Sequence, residues 1–481
     1  MAKSIKKNTV YSIIKTCSSI VFPLITFPYI SRVLLAENVG KIHFGMSIVS
    51  YFSLIASLGI TTYAIRECSA VREDKKSLSN IASQIFSINV FTTIFSYLLL
   101  AFTLVFFKKL EGYRTLIIIQ SLSIVFTTIG TDWLNSAMEE FKFITLRTVI
   151  FQILAIVLML IFVRVPNDYL KYAVISLVST SGASIVNIFY RKRFCHIRFT
   201  LEIDITKHIG PILFLFVMIL AQDIYNNVDS TMLGLMHGDR AVGIYSAAHK
   251  MAKMINQLVA AILWVIMPRM SFYFAQNDFI QINKLLKKIL GFNLLLGLPC
   301  AVGTTMLSKE IIIIIAGNDF LEAALVLQVL MLGFVFTLIG GNFLGNAILL
   351  PSKQEKYYML VCCITAIVNV ITNYIFIPSF GSVAAAGTTA LCSFVMFIML
   401  IIKKDKRIHV DRIQDVLFSP VIGSIMICII CLIFRNVNNL WVRTIFSVFF
   451  SVLAYGAIQI LTKNQLVFEF INPLVKKIKS H

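Results

Sequence analysis

The chain has 481 residues, of which 58% are hydrophobic and 14% charged, with a formal net charge of +20 and a mean hydropathy of +0.85. That balance excludes a soluble globular domain and describes a chain built of membrane spans. The positive charge does not interleave with aromatics on a soluble surface, so it is no nucleic-acid footprint.

A span takes roughly 20 apolar residues, and about fourteen such stretches follow one another. They run over 8–34, 42–65, 81–107, 115–137, 146–164, 169–190, 209–236, 241–268, 288–307, 321–350, 357–378, 381–402, 415–434 and 441–462. The expected fold class is an all-α polytopic membrane protein. The first span contains Pro23 and Pro28, which neighbouring helices can accommodate. It is too long for a signal peptide and lacks a convincing cleavage site, so it reads as mature structure. Lys15 lies near its inner end and Arg32 at its outer end. Lys15 reads either as a snorkelling anchor or as part of an interior site. Arg66 closes the second span as an interface anchor. In TDWLNSAMEEFKFITLR, Trp133 is expected in the aromatic belt and Asp132 as a partner of Arg147 or Lys142.

With the N-terminus inside, most Lys and Arg fall on the cytoplasmic side. The dense groups are Arg191–Arg193 with Arg198 and Lys207, then Lys403, Lys404, Lys406, Arg407 and Arg412, then the tail Lys476, Lys477 and Lys479. Lys108, Lys109 and Arg114 are the one poor fit. An even number of spans puts both termini in the cytoplasm.

The chain partly repeats itself. RVLLAENVGKIHFGMS resembles TMLGLMHGDRAVGIYSAA, with Val39-Gly40 matching Val242-Gly243, and WLNSAMEEFKF resembles FLGNAILLPSKQEKYY. The offsets, about 203 and about 210 residues, nearly agree and imply two six-helix lobes of one orientation. The expected domains are 1–195, 196–404 and, as an appended helix pair with a basic tail, 405–481. That pair shows no internal ionisable residue and no polar stripe. Segment 308–320 reads as an outer connection with an apolar interfacial turn. The span after it carries Gly341-x-x-x-Gly345, a small-residue packing face, with Asn342 and Asn346 at i, i+4. Asn369 and Asn373 repeat that spacing and read as interhelical glue or as cavity lining.

Chemistry gathers in one stretch, AQDIYNNVDSTMLGLMHGDRAVGIYSAAHKMAKMIN, from Ala221 to Asn256. Gln222, Tyr225, Asn226 and Asp229 share one helical face. Tyr245, His249, Lys253 and Asn256 share another, with Lys250 beside it. Met236 to Ala241 is a short turn, so the helices form an antiparallel hairpin. Asp229 and Lys250 then lie at nearly one depth, about seven and about nine residues from the turn at 1.5 Å rise. One ion pair pinning two helices would explain part of this. Asp223, Asp229, Lys250 and Lys253 together cost at least ~2.5–3.5 kcal/mol each near a bilayer centre, and with the amides and tyrosines they favour a water-filled cavity. Two neighbouring lysines call for an anionic guest or the Asp pair as counterion.

The nine cysteines carry no redox or metal signal. Cys428-x-x-Cys431 and the adjacent Cys362 and Cys363 read as small apolar packing residues. His43, His196, His208 and His237 lack ligand spacing, and no metal or cofactor is indicated. No loop is long enough for a catalytic domain, which counts against a membrane glycan polymerase or glycosyltransferase. Two parallel repeats around a charged midplane suit an alternating-access carrier better than a channel with rings of charge.

The segments PYISRVLL-x3-VG, ASLGITTYAIRE, TDWLNSAMEEFKFI, IYNNVDSTMLG-x6-AVGIYSAAHK and IIAGNDF resemble the bacterial O-antigen and capsule repeat-unit flippases. These are the polysaccharide-exporting branch of the MATE-like superfamily. The resemblance covers about residues 5–400; Ser136 stands where the family usually has Gly. It implies a V-shaped bundle of two six-helix lobes in the bacterial inner membrane. The implied substrate is an undecaprenyl-diphosphate-linked oligosaccharide moved to the outer leaflet, with H+ or Na+ coupling. Membrane lipids, a polysaccharide polymerase and export machinery are the implied partners. Lys15, Lys250 and Lys253 suit the diphosphate. Gln222, Tyr225, Asn226 and Tyr245 suit sugars, Arg32, His249 and Asn342 complete the substrate set, and Asp223 and Asp229 are ion-coupling candidates. The alternatives are a peptidoglycan lipid-precursor flippase and a MATE-type drug or cation antiporter; excess Lys over a lone acid argues against a cationic drug.

Overall fold

In the computed structural model, residues 5–403 and 407–469 are described, apart from the side chains of residues 5, 6, 9, 218, 221, 222, 224–226, 262, 264 and 265. The described residues form helices joined by turns and short irregular segments, with no strand among them. Its elements are α1 (Ile5–Ser57), α2 (Ile60–Ala70), α3 (Lys75–Phe106), α4 (Arg114–Gly130), α5 (Asp132–Ala137), α6 (Phe141–Phe162), α7 (Tyr169–Tyr190) and α8 (Ile205–Met236). They continue as α9 (Asp239–Gln276), α10 (Phe279–Met306), α11 (Ser308–Ile315), α12 (Ala323–Thr337), a π-helical stretch (Leu338–Leu349), α13 (Glu355–Ile402), α14 (Ile413–Phe434) and α15 (Leu440–Leu461).

Ten described helices are long and apolar enough to cross a membrane, eleven when Asp239–Ala261 and Ile266–Gln276 are taken together. Two of them, Val10–Ala70 and Glu355–Ile402, hold two expected spans each, and α8 contributes the shorter apolar run Ile205–Val217. The expected loop between spans 8–34 and 42–65 is therefore helix. It is broken only at Leu35, whose φ of 62° and ψ of 173° leave the helical region, a strained conformation for a side chain of that size. Gly381 makes the corresponding break in α13 at φ 55°, where glycine carries no such cost.

Short polar side chains mark four helix starts. Asp74 accepts from the Lys76 amide, Asp204 from Lys207, Asp278 from Gln281, and Asn439 from Trp441 and Val442. Each satisfies an amide that lacks an intrahelical partner. The ill-fitting basic group at Lys108, Lys109 and Arg114 has a local use. Lys109 donates to the Leu235 carbonyl at the end of α8, and Arg114 to Leu104 at the end of α3, positive charge placed where helix dipoles end negative. Large apolar side chains stay exposed along the spans, Leu98 at 65% and Phe106 at 65% among them. A membrane helix leaves such a surface for lipid.

The chain divides into two compact units, Met1–Gly243 and Ile244–His481, so the division falls inside α9. In the first unit α1 packs on α3, α4, α6 and α8, and α7 on α4 and α6. A core of Ile60, Tyr63, Leu78, Ile85, Trp133, Leu134 and Ile212 joins α2, α3, α5 and α8. Trp133 is thus 4% exposed rather than in an interfacial belt, because α5 turns its ring inward. Gly40 and Gly243 lie backbone to backbone: a Cβ on Gly40 would come within 1.8 Å of the Asp239 carbonyl oxygen, and one on Gly243 within 1.9 Å of the Ala36 oxygen.

In the second unit α13 packs on α12, and α10 packs on α14, which pairs with α15. Gly333 and Gly340 meet the backbone of Ala390 and Phe397, so α12 with its π extension runs beside the second half of α13. The expected Gly341-x-x-x-Gly345 packing face does not form. The π turn shifts its register, leaving Gly341 in ordinary van der Waals space and Gly345 against the Tyr358 ring. In segment 308–320 the apolar run expected as a turn is a short helix, α11. The appended pair does carry a polar seam: Ser419 donates to Gln459 at 2.6 Å and Asn464 donates to both. Arg443, near the start of α15, pairs with Glu310 at 2.9 Å.

Candidate functional site

In the first unit, polar groups of α8 meet the second half of α1. Thr231 donates to Ser47 at 2.9 Å and shares a hydrogen bond of 3.1 Å with the Tyr51 hydroxyl. Four residues earlier, Asn227 donates to the Asp223 carboxylate at 2.9 Å. Asp229 is 3% exposed, well inside the helix packing. The backbone of Gln222, Tyr225 and Asn226 continues α8, and their side chains lie outside the described residues. Ser47, Tyr51 and Thr231 were not anticipated. Isolated hydroxyls in apolar spans leave no periodic signal, although Thr231 follows the acidic stretch directly.

In the second unit, α9 carries Tyr245, His249, Lys250, Lys253 and Asn256 on successive turns. The Tyr245 and His249 rings stack at 5.5 Å. The Tyr245 hydroxyl lies 3.5 Å from Thr389 and from the His249 Nδ1, at the limit of a hydrogen bond. Asn342 donates to Asn256 at 2.9 Å. Lys250 is half-buried and Lys253 exposed. Asn369 and Asn373 turn out to be glue: Asn373 donates to Asn369 at 3.1 Å and accepts from Thr388, tying the two halves of α13 together.

The remaining candidates stand apart on α1. Lys15 is exposed among the exposed apolar residues Ile13 and Ile14. Arg32 is exposed and folds back to the Pro28 carbonyl at 2.7 Å. The acid–base pair near the end of α4 forms as expected, with Arg147 2.7 Å from Asp132. Asn187 donates to Asp132 and to the Gly130 carbonyl. This is a structural knot.

The family described as "Polysaccharide biosynthesis protein" matches residues 5–274, more than half of the chain. The chain belongs to that family. The MatE family matches residues 215–375, across α8 to α13. Among its relatives, this family member is 22% identical to the "Putative O-antigen transporter" of Escherichia coli (strain K12), over 84% of the chain and 98% of that protein. It is 23% identical to the "Capsular polysaccharide biosynthesis protein CapF" of Staphylococcus aureus, over 82% and 97%. Its fold is similar to that of "Lipid II flippase MurJ, inward closed conformation", with a TM-score of 0.76 at 16% identity over 95% of this chain and all of that one. It is a multi-pass membrane protein of the MATE-like transporter fold.

Proposed function

We propose that this protein is a flippase for lipid-linked oligosaccharide repeat units, carrying them from the cytoplasmic to the outer leaflet of the bacterial inner membrane by alternating access. The observation that carries this reading is the polar face of α9, where Tyr245, His249, Lys253 and Asn256 interrupt a membrane helix in a member of a polysaccharide biosynthesis family. Each unpaired hydroxyl moved into hydrocarbon costs roughly 2–7 kcal/mol, so a chain of sugars cannot cross unaided. A hydrated path lined by hydroxyl and amide groups removes that cost. Lys250 and Lys253, with Lys15, hold the diphosphate as point charges. Tyr245 and Asn256 serve the sugars, with Asn342 holding Asn256 in place. Asp229 acts as counterion to Lys250 while the diphosphate is absent, and Asp223 or Asp229 couples the cycle to H+ or Na+. Transport leaves every covalent bond intact, so the protein acts as a carrier rather than an enzyme, with both termini cytoplasmic, handing its product to a polymerase.

The test is reconstitution in proteoliposomes with an undecaprenyl-diphosphate-linked oligosaccharide, its leaflet read by access to an added glycosidase. Protein-dependent exposure of the sugar supports the reading. Exposure at the rate of empty liposomes, with a short-chain lipid precursor of peptidoglycan moved instead, would replace it.

A further inference from the structure

Away from the polar face of α9, three helix ends of the second unit enclose a cleft of about 1270 Å³. That exceeds the roughly 300–1,000 Å³ common for small-molecule sites. The first turns of α10, the segment entering α14 and the turn leaving α15 all contribute. Six Lys and Arg line it against three carboxylates. The carboxylates are already engaged: Asp415 with Lys287 at 3.0 Å, Glu469 with Lys288 at 2.7 Å, and Asp411 with His409 at 3.1 Å. Lys284, Arg412 and Lys463 line the same cleft with no carboxylate within 4.0 Å among the described residues. Arg412 holds a left-handed backbone at φ 49° and Lys463 one at φ 52°, an uncommon conformation for such residues.

The floor of the cleft is polar and fixed. Ser419 is 3% exposed and donates to the buried Gln459, while Asn464 closes the network from the rim at 2.7 and 3.0 Å. Beside the charges, Ile280 is 80% and Phe418 61% exposed. An apolar rim against a cationic hollow at helix ends is a surface for the bilayer boundary, where basic groups meet anionic headgroups.

We propose that this cleft binds a phosphate-bearing anion through Lys284, Arg412 and Lys463, with the apolar rim taking the start of an acyl chain when the phosphate belongs to a lipid headgroup. Lysine offers a point charge and arginine a bidentate fork to phosphate oxygens. The occupant holds the ends of α10, α14 and α15 together. The site is separate from the transport residues, so its test does not depend on export.

Full-length protein in neutral detergent is titrated with dihexanoyl phosphatidylglycerol, dihexanoyl phosphatidylcholine and inorganic phosphate. Phosphatidylglycerol should bind saturably, weaken with added salt, and lose at least about tenfold in affinity in the variant Lys284→Gln, Arg412→Gln, Lys463→Gln. The conservative pair Lys284→Arg, Lys463→Arg should bind as wild type, which separates lost charge from lost fold. Preference for phosphatidylglycerol over phosphate identifies a lipid source; equal binding of inorganic phosphate identifies a soluble one. Undiminished binding in the triple variant overturns the proposal, as does phosphatidylcholine binding as well as phosphatidylglycerol.

Discussion

Asn342 donates from Nδ2 to the Oδ1 of Asn256 at 2.9 Å, joining the π-helical stretch to α9. Each amide gains from the other a partner that hydrocarbon would not supply. Asn342→Leu should leave Asn256 without this donor and cost about 1–3 kcal/mol. Thermal unfolding of purified protein should show a lower midpoint, and adding Asn256→Leu should recover part of it. An unchanged midpoint in the single variant would remove Asn256 and Asn342 from the load of the fold.

Lys253 is exposed while the neighbouring Lys250 is half-buried. Lys253→Ala should abolish surface polysaccharide although the protein inserts at the normal level, checked by immunoblot of membranes and of surface glycan. Asp229→Asn should impair export, and its combination with Lys250→Gln should restore part of it. A strictly additive loss in the double variant would dismiss the counterion role.

The Arg147 side chain is 5% exposed and that of its partner Asp132 is 53% exposed. Removing the partner of a fully buried charge costs ~3–5 kcal/mol, and the half-open side reduces this through water screening. Asp132→Ala should therefore destabilise by about 1–3 kcal/mol, more than Arg147→Met, which removes the buried charge itself. Denaturant-free melting curves of the two variants decide the order.

Cys428 is half-buried on α14 while Cys431 is buried against Leu307 and Ile427. A photo-crosslinker on Cys428 should capture the isoprenoid tail of a lipid-linked substrate if the appended pair borders a lateral opening. Crosslinks to sugar would place α14 along the hydrophilic path instead, and their absence would make the pair plain support.

The apolar runs in the sequence announced nearly every helix, because a bilayer demands uninterrupted hydrophobic length. Breaks were less visible. Gly381 follows Pro378 and carries a local signal, whereas Leu35 breaks α1 with no glycine or proline beside it. The π register of Leu338–Leu349 was hidden for a related reason: i, i+4 spacing of Asn342 and Asn346 reads as one face only on an α-helix. At the candidate site, charged residues stood out from apolar sequence, while Ser47, Tyr51 and Thr231 acquired meaning only when α1 and α8 packed together. The seam of Ser419, Gln459 and Asn464 escaped similarly, its members being scattered singly over two helices.

Gly40 and Gly243, matched with their valines by the internal repeat, are each other's neighbours: a Cβ on either would come within 2.9 to 3.2 Å of the other's amide nitrogen. Each glycine is the clearance for the other's helix: a methyl group on either backbone would meet a carbonyl oxygen closer than any real contact, so the crossing of α1 and α9 has room for a side chain on neither partner.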